Sequence, residues 1–127
     1  MPKKPTRKSL IKKLDTIFSK YIRLRDADKE GYCRCCTCGE KYHWSKIQAG
    51  HFMSRKYYAT RWDEENVNAQ CVKCNVFLYG AEYRYSLYLG ENLSSELYLK
   101  SREIVKFADD EIKDKIEIYK EKIRNFS

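Results

Sequence analysis

Apolar residues Leu10, Ile11, Leu14, Ile17, Phe18, Tyr21 and Ile22 recur at steps of three and four between Ser9 and about Glu30, which predicts an amphipathic helix with Ser9 as its N-cap. Gly31 is placed to end it. The period then changes: Tyr32 to Trp44 reads as two short strands around a Cys-rich turn, where the Cys38-Gly39 step supplies backbone freedom. Ile47 to Phe52 reads as another strand. Residues 53–70 are only weakly periodic and read as one long connection, rich in basic and aromatic side chains, of a length that ordinarily goes with function. After Cys74-Asn75 the pattern predicts a helix to about Leu89, stopped near Gly90 and weakened or broken at Gly80. Ser94 or Ser95 is placed to cap the next helix, to about Phe107. Asp109 is placed to cap a last one, about Asp110 to Asn125, with Ile112, Ile116, Tyr119, Ile123 and Phe126 on one face.

These elements predict an α+β fold in a single domain of 127 residues, a length that suits one modest core and one active site. The expected layout is a basic tail over 1–8, a helix over 9–30, a zinc-bound core over 31–90 and a helical tail over 91–127. No apolar run approaches the ~18 to 20 residues a membrane span needs, so no membrane partner is expected. Met1-Pro2-Lys3-Lys4-Pro5 leads into an amphipathic segment without the apolar centre of a secretory signal, which predicts a cytoplasmic protein. Lys and Arg outnumber Asp and Glu by 26 to 18, and the net charge of +8 points to a polyanion, nucleic acid first. Lys46, Arg55, Lys56 and Arg61 fall in an aromatic-rich stretch and, with Arg84, are the candidates for phosphate contact. The tyrosines at 79, 83, 85 and 88 read as helix packing first and base stacking second.

Cysteines carry the strongest chemical signal. Cys35-x2-Cys38-Gly39 and Cys71-x2-Cys74-Asn75 form two knuckles separated by 32 residues, the pattern of one tetrahedral Zn²⁺ held by four thiolates. Such a site leaves no position for water, so the zinc is read as structural. Cys33-x2-Cys36 is a competing first knuckle; Gly39 after Cys38 favours the Cys35 pair.

His51, in Ala49-Gly50-His51-Phe52, is the candidate general base, since a neutral imidazole suits proton abstraction near pH 7. Asn66 precedes Cys71 by five residues and Asn75 follows Cys74. The strings GHF, ENVNAQC and CVKCN resemble the HNH endonuclease motif, with His51, Asn66 and Asn75 at its three named positions. AGHFMSR, RWDEENVNAQCVKCN, Gly80 and Tyr83 further resemble the phage NinG (Rap) recombination endonucleases, over roughly residues 32–90 and more weakly in the tail. The placement of zinc knuckles is similar to that of endonuclease VII-type junction resolvases.

The resemblance implies a ββα-metal core and a metal-dependent, structure-selective DNA endonuclease acting on branched recombination intermediates (Holliday junctions, D-loops) in the bacterial host cytoplasm. In that reading His51 is the base, Asn66 orients it, and Asn75 ligates a catalytic Mg²⁺ or Mn²⁺. Paired cuts on opposing strands would call for a homodimer. One departure stands out: Gly50 occupies the position where the pattern commonly has an Asp metal ligand. Glu82 is the first replacement candidate, as it lies seven residues after Asn75 on the same face of an unbroken helix, with Asp63, Glu64 and Glu65 behind it. The rival reading is a non-catalytic zinc-ribbon DNA-binding or adaptor protein, with His51 a core histidine and Asn75 a turn residue. His43 is read as structural.

Overall fold

Thr6, not Ser9, opens the first helix. In this computed structural model, which describes residues 4–126, Thr6 is extended and its Oγ1 accepts from the Ser9 N–H at 3.1 Å, while Ser9 Oγ donates back to the Thr6 carbonyl. The capping residue is the one with non-helical backbone, so Ser9 falls inside the first turn. Residues 1–3 of the expected basic tail lie outside the described residues. Helix α1 spans Arg7–Arg25 and stops short of Glu30. Its end is set by a turn in which Asp28 Oδ1 accepts from the N–H groups of Glu30 and Tyr32, and Gly31 (φ +89°) serves that turn, not the helix end.

Leu10, Leu14, Phe18, Tyr21 and Ile22 bury the predicted stripe of α1 against the last helix, together with Ile112, Ile116, Tyr119, Trp62 and Val67. Phe18 and Tyr119 meet edge to face at 4.9 Å. The last helix of the chain, Asp109–Arg124, has Ala108 at its N-cap position, where the Glu111 carboxylate accepts the Ala108 N–H. Asp109 is therefore the first helical residue. Its charge there complements the helix dipole and pairs with Arg7 at 2.9 Å.

Two small antiparallel sheets follow α1. Strand β1 (Tyr32–Arg34) pairs with β2 (Lys41–His43), Tyr32 opposite His43, around the first cysteine turn. Strand β3 (Gln48–His51) pairs with β4 (Val67–Gln70), Gln48 opposite Gln70 and His51 opposite Val67. The stretch 53–70 is thus no single connection, since it contains the one-turn helix α2 (Tyr58–Arg61) as well as β4. Strand β4 is docked on α1 by polar bonds: Arg25 donates to the carbonyls of Glu64 and Val67, and Asp26 Oδ2 accepts the Ala69 N–H at 2.8 Å.

The segment after Cys71 also departs from expectation. A π-helical turn, Lys73–Phe77, replaces the first half of the predicted helix, and Tyr79, Gly80 and Ala81 all take positive φ (51°, 87° and 47°). Three left-handed residues cannot continue a right-handed helix, so α3 begins afresh at Glu82 and ends at Leu89. Helix α4, Glu91–Ser101, starts directly after Gly90; Ser94 lies within it and donates to the Ser86 carbonyl, so neither Ser94 nor Ser95 caps it. Phe107 falls beyond α4 and packs on Trp62. Helix α5 is the Asp109–Arg124 helix already described. The fold is α+β, as expected, with one aromatic–aliphatic core between α1 and α5 and a second around the cysteines. Among the described residues, no helix is long and apolar enough to cross a membrane.

Candidate metal centre and His51 cleft

The two turns that carry the knuckles are brought face to face by the sheets. Cys36 N–H donates to the Ala69 carbonyl, joining the first turn to β4, whose end leads straight into Cys71. The sulfur atoms of Cys35, Cys38, Cys71 and Cys74 then lie within 4.8 Å of one another, with Cys38 and Cys71 3.8 Å apart. A tetrahedron with Zn–S bonds of ~2.3 Å has edges of about 3.8 Å, so this set fits a structural zinc ion. The choice between overlapping pairs is settled by where the other two thiols go. Cys33 Sγ donates to the Arg23 carbonyl at 3.1 Å, burial pushes its thiol up to about 11, and burial likewise raises that of Cys36.

His51 ends β3 on the floor of a cleft of about 800 Å³ that it shares with Asp15, Arg55, Gln48 and Asn75. Its Nε2 is 2.8 Å from the Arg61 carbonyl. A carbonyl can only accept, so Nε2 carries the hydrogen and Nδ1 keeps its lone pair. Burial pulls the imidazole down to about 4, opposed by the hydrogen bond to the Arg61 carbonyl and by Asp15, and helped by the charges of Arg55 and Arg61. The ring is therefore neutral at pH 7, with one basic nitrogen.

Behind that carbonyl stands a residue outside the sequence motif. Asp15, from the middle of α1, accepts from Arg61 Nε (3.1 Å), Arg61 Nη2 (2.5 Å) and Trp62 Nε1 (3.0 Å), with Arg55 Nη1 at 3.8 Å. The side chains of Asp15 and Arg61 are only 16% and 14% exposed. A chain of contacts thus runs from Asp15 through Arg61 to the carbonyl that holds His51. The only sequence signal for it is a polar residue on α1 flanked by the buried Leu14 and Phe18.

The other candidates divide. Asn75 lines the cleft, and its Nδ2 donates to Gln48 Oε1 at 2.8 Å, which leaves Oδ1 without a hydrogen-bond partner among the described residues. Asn66 is buried and saturated: Oδ1 accepts the Met53 N–H, and Nδ2 donates to the Met53 and Thr60 carbonyls. It reaches His51's neighbourhood through backbone, by the bond from Phe52 N–H to its carbonyl. Glu82 does not share Asn75's cleft, because the helix meant to align them is broken at residues 79–81; it lines a second, smaller cleft that also includes His51. Asp63 pairs with Lys100, and Glu64 is held by Tyr21, Tyr119 and Lys122; neither they nor Glu65 line either His51 cleft.

Gly50 has a steric cause. A Cβ there would lie 2.0 Å from Gln70 Oε1 and 2.7 Å from Gln70 Cβ. Gln70 is itself pinned, donating to Thr37 Oγ1 and the Gly80 carbonyl, so no aspartate fits at position 50.

Among the basic candidates, Arg55 is largely exposed on the cleft wall, and Lys46, Lys56 and Arg84 are exposed. Arg61 is committed to Asp15. Arg23 also lines the His51 cleft and Arg102 the smaller one, and both were missed because they lie far from the motif in sequence. His43 bonds Ser45 and meets Tyr32 edge to face, consistent with a structural role.

No curated protein and no solved structure shows a significant match to the chain. The family model described as Bacteriophage Lambda NinG protein matches residues 3–127, essentially the whole chain, and the chain therefore belongs to the NinG family.

Proposed function

We propose that the chain is a metal-dependent DNA endonuclease of the HNH (ββα-metal) kind, acting on branched recombination intermediates with His51 as general base. The observation that carries this reading is the hydrogen bond that sets the tautomer of His51: Nε2 is tied to the Arg61 carbonyl, and the unprotonated Nδ1 belongs to a half-buried, neutral ring in a cleft lined by Arg55 and Asn75. In the reaction, Nδ1 takes a proton from water, the water oxygen forms a bond to phosphorus, and the bond to the 3′ oxygen breaks. Arg55 offers a cation to the phosphate. A Mg²⁺ or Mn²⁺ ion, when bound, supplies Lewis-acid polarisation of the phosphate and stabilises the leaving oxygen. Asn75 Oδ1, without a hydrogen-bond partner among the described residues, would be its protein ligand, and Mg²⁺ ordinarily keeps several waters, so one or two protein ligands suffice. The four-cysteine site, by tying both knuckles together, holds Asn75 in register with β3. A homodimer would serve paired cuts on opposing strands.

A second reading, a zinc-bound DNA-binding or adaptor protein without catalysis, is favoured by two observations: Gln70 excludes a carboxylate at position 50, and Asp15 is engaged by Arg61. Incubating branched, duplex and single-stranded DNA with Mg²⁺ or Mn²⁺ separates the two. Cleavage of branched DNA that is lost in His51→Ala is the expected result; intact DNA with wild-type protein in every case would leave the adaptor reading.

A further inference from the structure

His51 is shared by two clefts, and the smaller one has a different chemistry. It measures about 280 Å³, and four aromatic side chains line it, Phe52, Tyr57, Tyr79 and Tyr98, with Arg102 and Glu82 beside them. The Arg102 guanidinium is stacked between Tyr57 at 4.6 Å and Tyr98 at 4.5 Å, and Nη1 donates to the Tyr57 hydroxyl at 3.0 Å. Two walls, from the N-terminal side of α2 and the end of α4, are thereby arranged in advance of any ligand.

Tyr79 is built differently from the other tyrosines of its stretch. Tyr85 is fully buried, its hydroxyl donating to the Gly50 carbonyl at 2.6 Å. Tyr79 is 94% exposed, and no hydrogen bond among the described residues involves its hydroxyl. It stands at φ +51° in the left-handed turn, at the rim of both clefts. A positive φ in a residue with a side chain costs of order 1–3 kcal/mol, and here the conformation places a large ring in solvent where it contributes nothing to the core. The cleft lies just below the ~300–1,000 Å³ range of drug-sized ligand sites, room for one planar ring and not for a duplex. Arg102 in this cleft and Arg55 in the larger one offer cations to a backbone phosphate, while Glu82, the carboxylate of the smaller cleft, can accept from the amino or imino group of a base.

We propose that the smaller cleft receives a single unstacked nucleobase next to the phosphate attacked at His51, with Tyr79 as its stacking partner. This rests on the endonuclease reading above and narrows its substrate: DNA whose cut position carries a base already loosened from the helix. In continuous duplex, freeing a base costs a few kcal/mol, and the cost is smallest where the base is unpaired. Branch points offer such bases; uninterrupted duplex does not.

The test uses the full, zinc-loaded chain without Mg²⁺ or Mn²⁺. 2-Aminopurine is placed at successive nucleotides around the centre of a four-way junction and in a matched duplex. Wild-type protein should change the fluorescence at nucleotides flanking the branch and leave the duplex signal unchanged. Tyr79→Ala should abolish that change and weaken junction binding by about 5- to 150-fold, the range of base–aromatic stacking, more than it weakens duplex binding. Tyr79→Phe and Tyr79→Trp should retain both, since a ring is all that stacking needs. A Tyr79→Ala protein of normal melting temperature that binds junctions and shifts the probe as wild type does would overturn the proposal. So would an equal loss on junction and duplex. Failure of the endonuclease reading looks different: wild type with Mg²⁺ or Mn²⁺ cuts nothing, while the probe signal at the branch persists.

Discussion

Replacing Asp15 by Asn tests whether α1 contributes to the chemistry or only to the core. The substitution keeps the shape of the side chain but removes the charge, and it turns one acceptor oxygen into a donor facing the Arg61 guanidinium. Asp15 accepts three short bonds, two of them from Arg61, and both partners are largely shielded from water. Breaking a buried pair from one side costs ~3–5 kcal/mol, and the residual exposure of this one places it at the lower end, about 3 kcal/mol. At this chain length that is a fall in Tm of roughly 10 °C, and a domain of ordinary stability stays folded at 25 °C. The catalytic effect comes through the Arg61 carbonyl, whose position sets the ring of His51; a shift of ~1 Å in a catalytic group costs about 10²-fold. In single-turnover cleavage of a junction, kcat should fall roughly 10- to 100-fold while KM does not rise, because the cleft loses a negative charge and attracts DNA no less. Glu64→Gln is the control: it breaks a comparable cluster with Tyr21, Tyr119 and Lys122 away from the cleft, and should lower Tm with kcat intact. An Asp15→Asn protein that melts early yet cuts at the wild-type rate would refute the positioning argument, and one as stable as wild type would refute the energetics.

Three further outcomes follow from the geometry. Zinc analysis should give about one ion per chain, and Cys71→Ala should lower that content and the melting temperature together, whereas Cys33→Ala should keep the zinc. The burial of His51 makes stability pH-dependent: above its ordinary value of 6.5 both states are neutral, and between 6.5 and about 4 the unfolded chain takes up a proton that the folded one does not. Stability should therefore be lost over that window, by about 3 kcal/mol at its acid end. His51→Gln should flatten that part of the urea-midpoint profile, and parallel profiles would exclude the assignment. Gly50→Ala forces a Cβ onto Gln70 and should destabilise by about 3 kcal/mol. Gln70→Gly in the same chain removes the Cβ at 2.7 Å as well as the amide and should recover most of the clash, as the coupling term of a double-mutant cycle in urea would show.

The sequence alone was sufficient for whatever depends on local period and spacing. The α1 and α5 stripes, the first cysteine hairpin and the four-thiol set could be read because each repeats a local rule: 3.6-residue burial, alternation, or two ligands from one tight turn. Other features depended on partners distant in the chain. Strand β4 is only four residues long and is a strand because Arg25, Asp26 and β3 satisfy its backbone. The break at residues 79–81 turned Glu82 away from Asn75, and no periodicity in the sequence encodes three left-handed residues. Gly50 read as a missing ligand, while the structure gives it a packing reason, the side chain of Gln70 twenty residues on. Asp15 and Arg102 escaped for the same cause: they meet His51 through tertiary packing of α1 and α4, and long-range contact leaves no mark on the local pattern. What the fold decided is which nitrogen of His51 is free, because that depends on where the Arg61 carbonyl comes to rest.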